Sequence, residues 1–421
     1  MTQQRQEAPV IIIIGAGIIG LACAHYLSAE GHKVLVLDSG TIASGCSKSN
    51  CGHIIPSHIL PLNSPAALKT GLLSLFNSKS AFRIKPQLKP SFLNWMFQFA
   101  LNCKTSAVLD SASQLKAILD AAFTEYEQLV AAKVFECNWK KSGLMYAFKS
   151  QKALDDFTKT DRLLDENFGL KAQHYDGDNL KQYDPALREG LAGGFFYKDD
   201  ALLEPESLTA SWTQHLKKRG VSFIENCTVL GIERTSKKAT KLKTSSGTLD
   251  VEQLVIASGA LSGSFARDLD CSIPVLPGKG YSITLPRPEA SPKTSLILPE
   301  KNVAITPFKN SLRIGSMMEF VGFDSTVPAH RMEQLRTSAD DYLLSDFSEM
   351  EETQWSGWRP MTWDSLPMIG RLPGIENTCI ATGHGMMGVM LAPATGRLIA
   401  EIITEKDRHI PEVPYCPARF A

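Results

Sequence analysis

Residues 10–38, VIIIIGAGIIGLACAHYLSAEGHKVLVLD, restrict the fold more than any other part of this chain. The β-branched run 10–14 predicts a strand buried on both faces, as in a parallel sheet. Small and apolar residues then alternate at helical spacing over 18–30, and KVLVLD predicts a second strand, so the unit is strand, helix, strand. The connection GAGIIG supplies three glycines with separate tasks. Gly15 permits a tight turn, Gly17 allows the backbone to approach a pyrophosphate, and Gly20 lets the helix pack close to the sheet. Ile18 and Ile19 open the helix, whose N-terminus favours the phosphate charge. Asp38 closes the second strand, followed by Ser39, and can accept hydrogen bonds from a ribose hydroxyl. The expectation is a dinucleotide-binding α/β layer.

The same run, Pro9 to Ala24, could also be taken for a secretory signal. Three glycines interrupt it, no basic cluster precedes it, and it continues into a strand rather than a cleavage site. It is also shorter than the ~20 apolar residues a membrane span needs. Lys plus Arg and Asp plus Glu each number 44 in the 421 residues, so no global field favours nucleic acid or an anionic membrane surface. A small-molecule partner is expected. Nine cysteines, an odd number without CxxC spacing, make a poor disulfide framework and point to a reducing compartment, the cytoplasm.

Further along, residues 60–170 carry long helical patterns such as SASQLKAILDAAFTEYEQLVAA and predict a helical insertion. Residues 193–226 return to a helix and a strand, and 229–259 predict a three-stranded meander. Short strands (GYSITL, NVAITPF, LRIGSMMEF) and one helix, HRMEQLRTSADDYLLSDF, follow. The tail reads as a strand, a glycine-rich turn and a helix. That turn, Gly383-His-Gly-Met-Met-Gly388, offers a second helix N-terminus, so Gly383, Gly385, Met386, Met387 and Gly388 become cofactor candidates. Two such termini suit a cofactor with a pyrophosphate and an electron-rich ring.

Taken together, GAGIIG with Asp38, LVIASGALS, GKGYSITL, NVAITPF, LRIGSMMEFVGFD, GWRPMTWDSLPMIG and ATGHGMMGVMLAPATGRLIAEII resemble the FAD-dependent D-amino-acid oxidase superfamily, and within it the D-amino-acid dehydrogenase branch. The resemblance runs over nearly the whole chain. It implies an α/β protein: a Rossmann-type FAD-binding domain of discontinuous segments (8–59, 198–268 and 352–410) with an inserted α+β substrate domain (60–197 and 269–351, including the helical insertion).

The cluster GCSKSNCGHIIPSH, residues 45–58, invites a metal reading because Cys46, Cys51, His53 and His58 fall close together. Their spacing matches no usual zinc or iron–sulfur pattern. By resemblance the stretch is instead a flavin loop, with Ser47, Asn50 and Gly52 fitting its pattern and Cys51 and His53 beside the ring. No metal is expected. Cys46 stands where relatives more often carry a small hydroxyl residue; it is read as a buried filler, with a redox-active thiol as the competing reading. Asn50 and Gly357 take the positions where some relatives tether the flavin, which implies noncovalent FAD.

The resemblance also places Val229 at the adenine edge and Ala257, Ser258 and Gly259 at a second turn near the dinucleotide. Arg359 of GWRP becomes the candidate clamp for a substrate carboxylate, since a planar guanidinium can form two parallel bonds. Tyr281 is expected to add a hydroxyl to that carboxylate, and His384 a hydrogen bond near the ring. Thr306, Pro307 and Phe308 stand where several relatives have an arginine, which favours an apolar or cyclic substrate. The implied reaction is oxidative deamination of a D-amino acid to a 2-oxo acid and ammonia, with hydride leaving Cα for flavin N5. A secondary amine of the proline, hydroxyproline, sarcosine or glycine type is the alternative substrate, in an enzyme that could be a subunit of a complex. Electrons then leave to a quinone, a partner protein or oxygen. SFLNWMFQFALN, residues 91–102, flanked by Lys85, Lys89 and Lys104, reads either as a buried helix or as an interfacial one, so peripheral contact with the inner face of the cell membrane belongs among the expectations.

Overall fold

The computed structural model describes residues 10–74, 80–347 and 350–421. Its first layer grows from the nucleus read above: β1 (Val10–Ile14), α1 (Ile18–Ala29) and β2 (Lys33–Leu37). β1 lies inside a six-stranded sheet ordered Met368–Arg371, Thr378–Thr382, Gln253–Ile256, β1, β2, Ser222–Ile224. Every pairing is parallel except that of Met368–Arg371 with Thr378–Thr382. The β-branched run is explained by its two neighbours. Ile11 and Ile13 enter the cluster that includes α1 and the C-terminal helix Gly388–Ile403, while Ile12 and Ile14 enter the cluster on the opposite face. Each such side chain, removed wholly from water, stabilises the layer by about 1.5–3 kcal/mol.

The second face is covered by a three-stranded antiparallel meander, Val229–Thr235, Lys238–Thr244 and Gly247–Asp250. Gln253–Ile256 then leaves the meander and joins the parallel sheet, so the stretch 229–259 holds four strands where three are expected. On the helical face, α1 and Gly388–Ile403 touch backbone to backbone. A Cβ on Gly396 would stand 2.5 Å from the Ala22 carbonyl carbon.

The other half is a nine-stranded sheet. Its path runs Thr353–Met361, Leu276–Pro286, Ser311–Phe320, Val303–Pro307, Ser295–Leu298, Leu144–Phe148, Gly193–Tyr197, Gln173–Asp176, with Phe82–Ile84 beside Ser311–Phe320. Two expectations are corrected here. Residues 60–170 are not purely helical: Phe82–Ile84 and Leu144–Phe148 are strands, because backbone groups from 295–320 pair with them. The strand Thr353–Met361 belongs to this sheet rather than with the other segments of 352–410, since it pairs with Leu276–Pro286 from Leu276 opposite Met361 to Thr284 opposite Thr353. The long helix Thr105–Ala131, part of the expected insertion, packs on Gly388–Ile403, and Tyr126 donates its hydroxyl to the Val389 carbonyl.

Candidate active site

A cavity of about 910 Å³ opens between the two sheets. Its floor on the parallel side is the glycine connection. Gly15 has φ +108° and donates its N–H to the Leu37 carbonyl at 2.7 Å, and a Cβ there would meet the Ala257 carbonyl oxygen at 2.5 Å. Gly20 faces away from the cavity, where a Cβ would come within 1.8 Å of the Gly15 oxygen. Gly17 differs: its Cβ would meet only the Ser47 hydroxyl, at 3.4 Å. Space beside Gly17 is therefore open toward the cavity, unlike the packed contact at Gly20.

Several expected cofactor residues share this region. Gly15, Gly17, Ile18 and Ile19 line the cavity with Asp38 and Ser39, and Val229, Ala257, Ser258 and Gly259 line it from the neighbouring elements. The Asp38 carboxylate accepts the Ala16 N–H at 2.7 Å and the Gly40 N–H at 2.8 Å, so it braces the glycine turn with lone pairs left over. Ser47 accepts the Ile18 N–H at 2.9 Å and ties the flavin-loop segment to the start of α1.

The 45–58 stretch runs along the cavity, with Ser47, Asn50, Cys51 and His53 lining it. Asn50 accepts the Gly52 N–H at 2.7 Å, closing a small turn. Gly52 itself does not line the cavity: its φ of +69° and the Leu203 carbonyl, 2.0 Å from a Cβ position, give it a backbone role. Arg313, 3 % exposed, holds the turn from behind by donating to the Lys48 and Asn50 carbonyls at 3.1 and 2.8 Å. Nothing in the sequence signals that brace. Among the described residues no group of three or more His, Cys, Asp or Glu comes together as a metal site would require.

Both loop thiols are held protonated. Burial pushes Cys46 up to about 11, against the pull of the Arg359 charge, and raises Cys51 as well. Cys46 donates to the Trp358 carbonyl at 3.0 Å. At pH 8 only about a thousandth of such a thiol is thiolate, the reactive form. Alkylation of Cys46 by iodoacetamide should accordingly keep accelerating beyond pH 9. A rate that levels off below pH 8 would show an activated thiol instead.

On the second helix N-terminus, Gly385, Met386 and Gly388 line the cavity. Gly383 and Met387 do not. Gly383, at φ +76°, packs where a Cβ would meet Thr362 at 2.6 Å, and Met387 is a buried N-cap. His384 borders the cavity, yet its Nε2 is hydrogen-bonded to the Thr395 hydroxyl at 3.0 Å, and burial lowers its pKa to about 3. It is a neutral imidazole tied through Nε2 to the helix that follows it. Tyr281 lines the cavity too, with its polar end tied back into the protein. Its hydroxyl donates to Glu319 at 2.5 Å, and Glu319 in turn pairs with Arg331 at 2.5 Å, both nearly fully buried.

Arg359 is the opposite case. It lines the cavity, donates to the Met317 carbonyl at 2.6 Å, and has no carboxylate within ion-pair distance among the described residues. Burial lowers its pKa, because nothing anionic offsets the lost hydration. Among the described lining residues Arg359 is the single cation and Asp38 the single carboxylate. Met317 touches Arg359, and the cavity lining further includes the apolar Trp355, Met318, Phe82, Ile297 and Val303. Thr306, Pro307 and Phe308 are absent from it. Thr306 turns to the Cys51 carbonyl at 2.7 Å and to His53 at 2.8 Å.

The chain matches a family model described as FAD dependent oxidoreductase (DAO) over residues 11–402. It is 32% identical to D-amino acid dehydrogenase 2 of Mesorhizobium japonicum over 95% of this chain and 97% of that one. It is 29% identical to the D-amino acid dehydrogenase of Vibrio atlanticus, over 94% and 95% of the two chains. Among solved structures, glycine oxidase from Geobacillus kaustophilus superposes with a TM-score of 0.76 at 24% identity, covering 98% of this chain and 100% of that one; the two share a fold.

Proposed function

The chain belongs to the DAO family of FAD-dependent oxidoreductases, and from that premise we propose that it is a D-amino-acid dehydrogenase, oxidising the substrate to an imine that hydrolyses to a 2-oxo acid and ammonia. The observation that carries the reading is Arg359, a cavity-lining guanidinium with no anionic partner among the described residues. A buried cation is costly unless paired, and a substrate carboxylate is the pairing it lacks.

FAD fits the cradle: the opening beside Gly17, the Asp38 carboxylate and the Gly388 helix start belong to one cavity of dinucleotide size. When bound, without a covalent tether, FAD supplies the acceptor for the hydride leaving Cα. Residues of this chain do the rest. Arg359 holds the carboxylate in a two-pronged grip and so fixes the direction of the Cα–H bond. The apolar walls exclude water from the reacting carbon. No carboxylate base lines this end, and His53 is held neutral with its pKa lowered to about 4, so the amine enters uncharged. We draw the cofactor-binding domain from 8–59, 198–268 and 362–410 and the substrate domain from 60–197 and 269–361, with the boundary moved past Met361. Electrons pass on to a quinone, a partner protein or oxygen, and oxygen consumption during turnover separates the last from the others.

Anaerobic addition of D-amino acids to the FAD-loaded protein should bleach the visible flavin absorption, while L-enantiomers should not. Bleaching by proline or sarcosine analogues alone would overturn the reading. The walls also predict selectivity: neutral apolar D-amino acids should exceed D-aspartate and D-lysine in kcat/KM by about a hundredfold, because a second charge would be buried without a partner. Steady-state rates across a substrate panel check this.

A further inference from the structure

The helix Pro90–Leu101 is apolar on two faces, and only one of them is used. Phe92, Trp95 and Phe99 are buried among Phe82, Met318 and Phe320, and the Trp95 indole donates to the Pro274 carbonyl at 2.9 Å. On the other side Leu93, Phe97 and Leu101, spaced by four, form a stripe with 53%, 61% and 43% exposure. Leu88, just before the helix, is 96% exposed. The helix is thus half core and half bare: the burial read from the sequence holds on one side, and the other side is exposed.

What covers the bare side is indicated by charge. Although the chain as a whole is neutral, it contains no Asp or Glu between Asp38 and Asp110, against seven Lys and Arg. Lys85, Lys89 and Lys104, all exposed, bracket the stripe and form no ion pair among the described residues. An acidic group on the adjacent loop 321–328, Asp324, is already bonded to Lys279 and Thr326. An exposed apolar stripe rimmed by unpaired lysines is complementary to an anionic headgroup layer above hydrocarbon.

We propose that this face docks on the surface of a bilayer containing anionic lipid, with Leu88, Leu93, Phe97 and Leu101 entering the headgroup boundary. The contact is peripheral, since among the described residues no helix is long and apolar enough to cross a membrane. It also lies against the active-site wall. The buried side of the helix packs on Phe82 and Met318, which line the cavity. The neighbouring loop places Phe323, 52% exposed, edge-on to the cavity residue Trp358 at 5.4 Å. Docking therefore brings the cavity rim to the lipid surface, where a lipid-soluble electron acceptor would be found.

Cosedimentation of the FAD-loaded protein with vesicles tests the proposal. Binding is expected to vesicles of phosphatidylcholine with phosphatidylglycerol and to be much weaker to phosphatidylcholine alone. Phe97→Glu combined with Leu93→Ser should lower the bound fraction roughly tenfold, and Lys85→Glu with Lys89→Glu should remove the preference for anionic lipid. Flavin bleaching by substrate should be unchanged in all of these, so the result is independent of the catalytic reading. No binding of the wild type to anionic vesicles, or equal binding by the Phe97→Glu, Leu93→Ser protein, overturns the proposal. So does sedimentation of the wild type as a dimer that dissociates in that variant, which would make the stripe a contact between copies.

Discussion

Replacing Arg359 by alanine is expected to lower kcat/KM for a D-amino acid by about a thousandfold, or about 4 kcal/mol, while FAD remains bound. The guanidinium has no carboxylate of its own among the described residues, so removing it should not strand a buried anion in the protein. The loss appears when substrate binds, as a carboxylate entering an apolar end of the cavity without a partner. Both constants should move. KM rises because the charge is unpaired, and kcat falls because a carboxylate held loosely no longer aims Cα–H. Arg359→Lys should recover part of the loss, since a point charge attracts the carboxylate but lacks the planar fork. Ordinary kinetics in the alanine variant would remove Arg359 from the site and with it the main support for an amino-acid substrate.

The second large effect separates two glycines three residues apart. Gly17→Val should leave a folded protein that has lost FAD, with affinity reduced by roughly a thousandfold, because the new side chain occupies the space reserved for phosphate. The surrounding protein can accept it: φ is −71° and only the Ser47 hydroxyl is near. Gly20→Ala should instead disrupt the fold, since its Cβ would sit 1.8 Å from the Gly15 carbonyl oxygen and push α1 off the sheet. Flavin absorbance per protein, read beside the melting curve of each variant, distinguishes the two. Stoichiometric FAD in Gly17→Val would mean the pyrophosphate lies elsewhere.

The contrast shows where the sequence was readable. The unit from Val10 to Asp38 is local: strand, turn and helix are adjacent, and their periodicities report burial directly. The same holds for the tail, where a strand, the 383–388 turn and a helix occupy consecutive residues. Partnerships made over long separations left no pattern. Tyr281 gives its hydroxyl to Glu319, and the Arg313 side chain holds a turn some 265 residues earlier. Leu144–Phe148 is a short apolar run between helices, and only its pairing with Ser295–Leu298 and Gly193–Tyr197 makes it a strand. Which residues face the cavity depends on that register. Trp355, opposite Ser282, and Gly315, opposite the same residue on its other side, reach the cavity together for this reason.

One connection in the fold governs how the molecule must be made. Strand Thr353–Met361 completes the edge of the nine-stranded sheet beside Leu276–Pro286, and Thr378–Thr382 covers Gln253–Ile256 in the six-stranded one. Both sheets therefore wait for the same late stretch of chain. During synthesis, Gln253–Ile256 leaves the ribosome more than a hundred residues before its outer partner, an interval on the order of ten seconds. Through that time two strands present bare backbone edges, the kind of surface that pairs with other chains. A nascent chain stopped short of this stretch would have neither the Arg359 grip nor the Gly388 helix start. Folding helpers that shield strand edges should thus raise the yield of active protein.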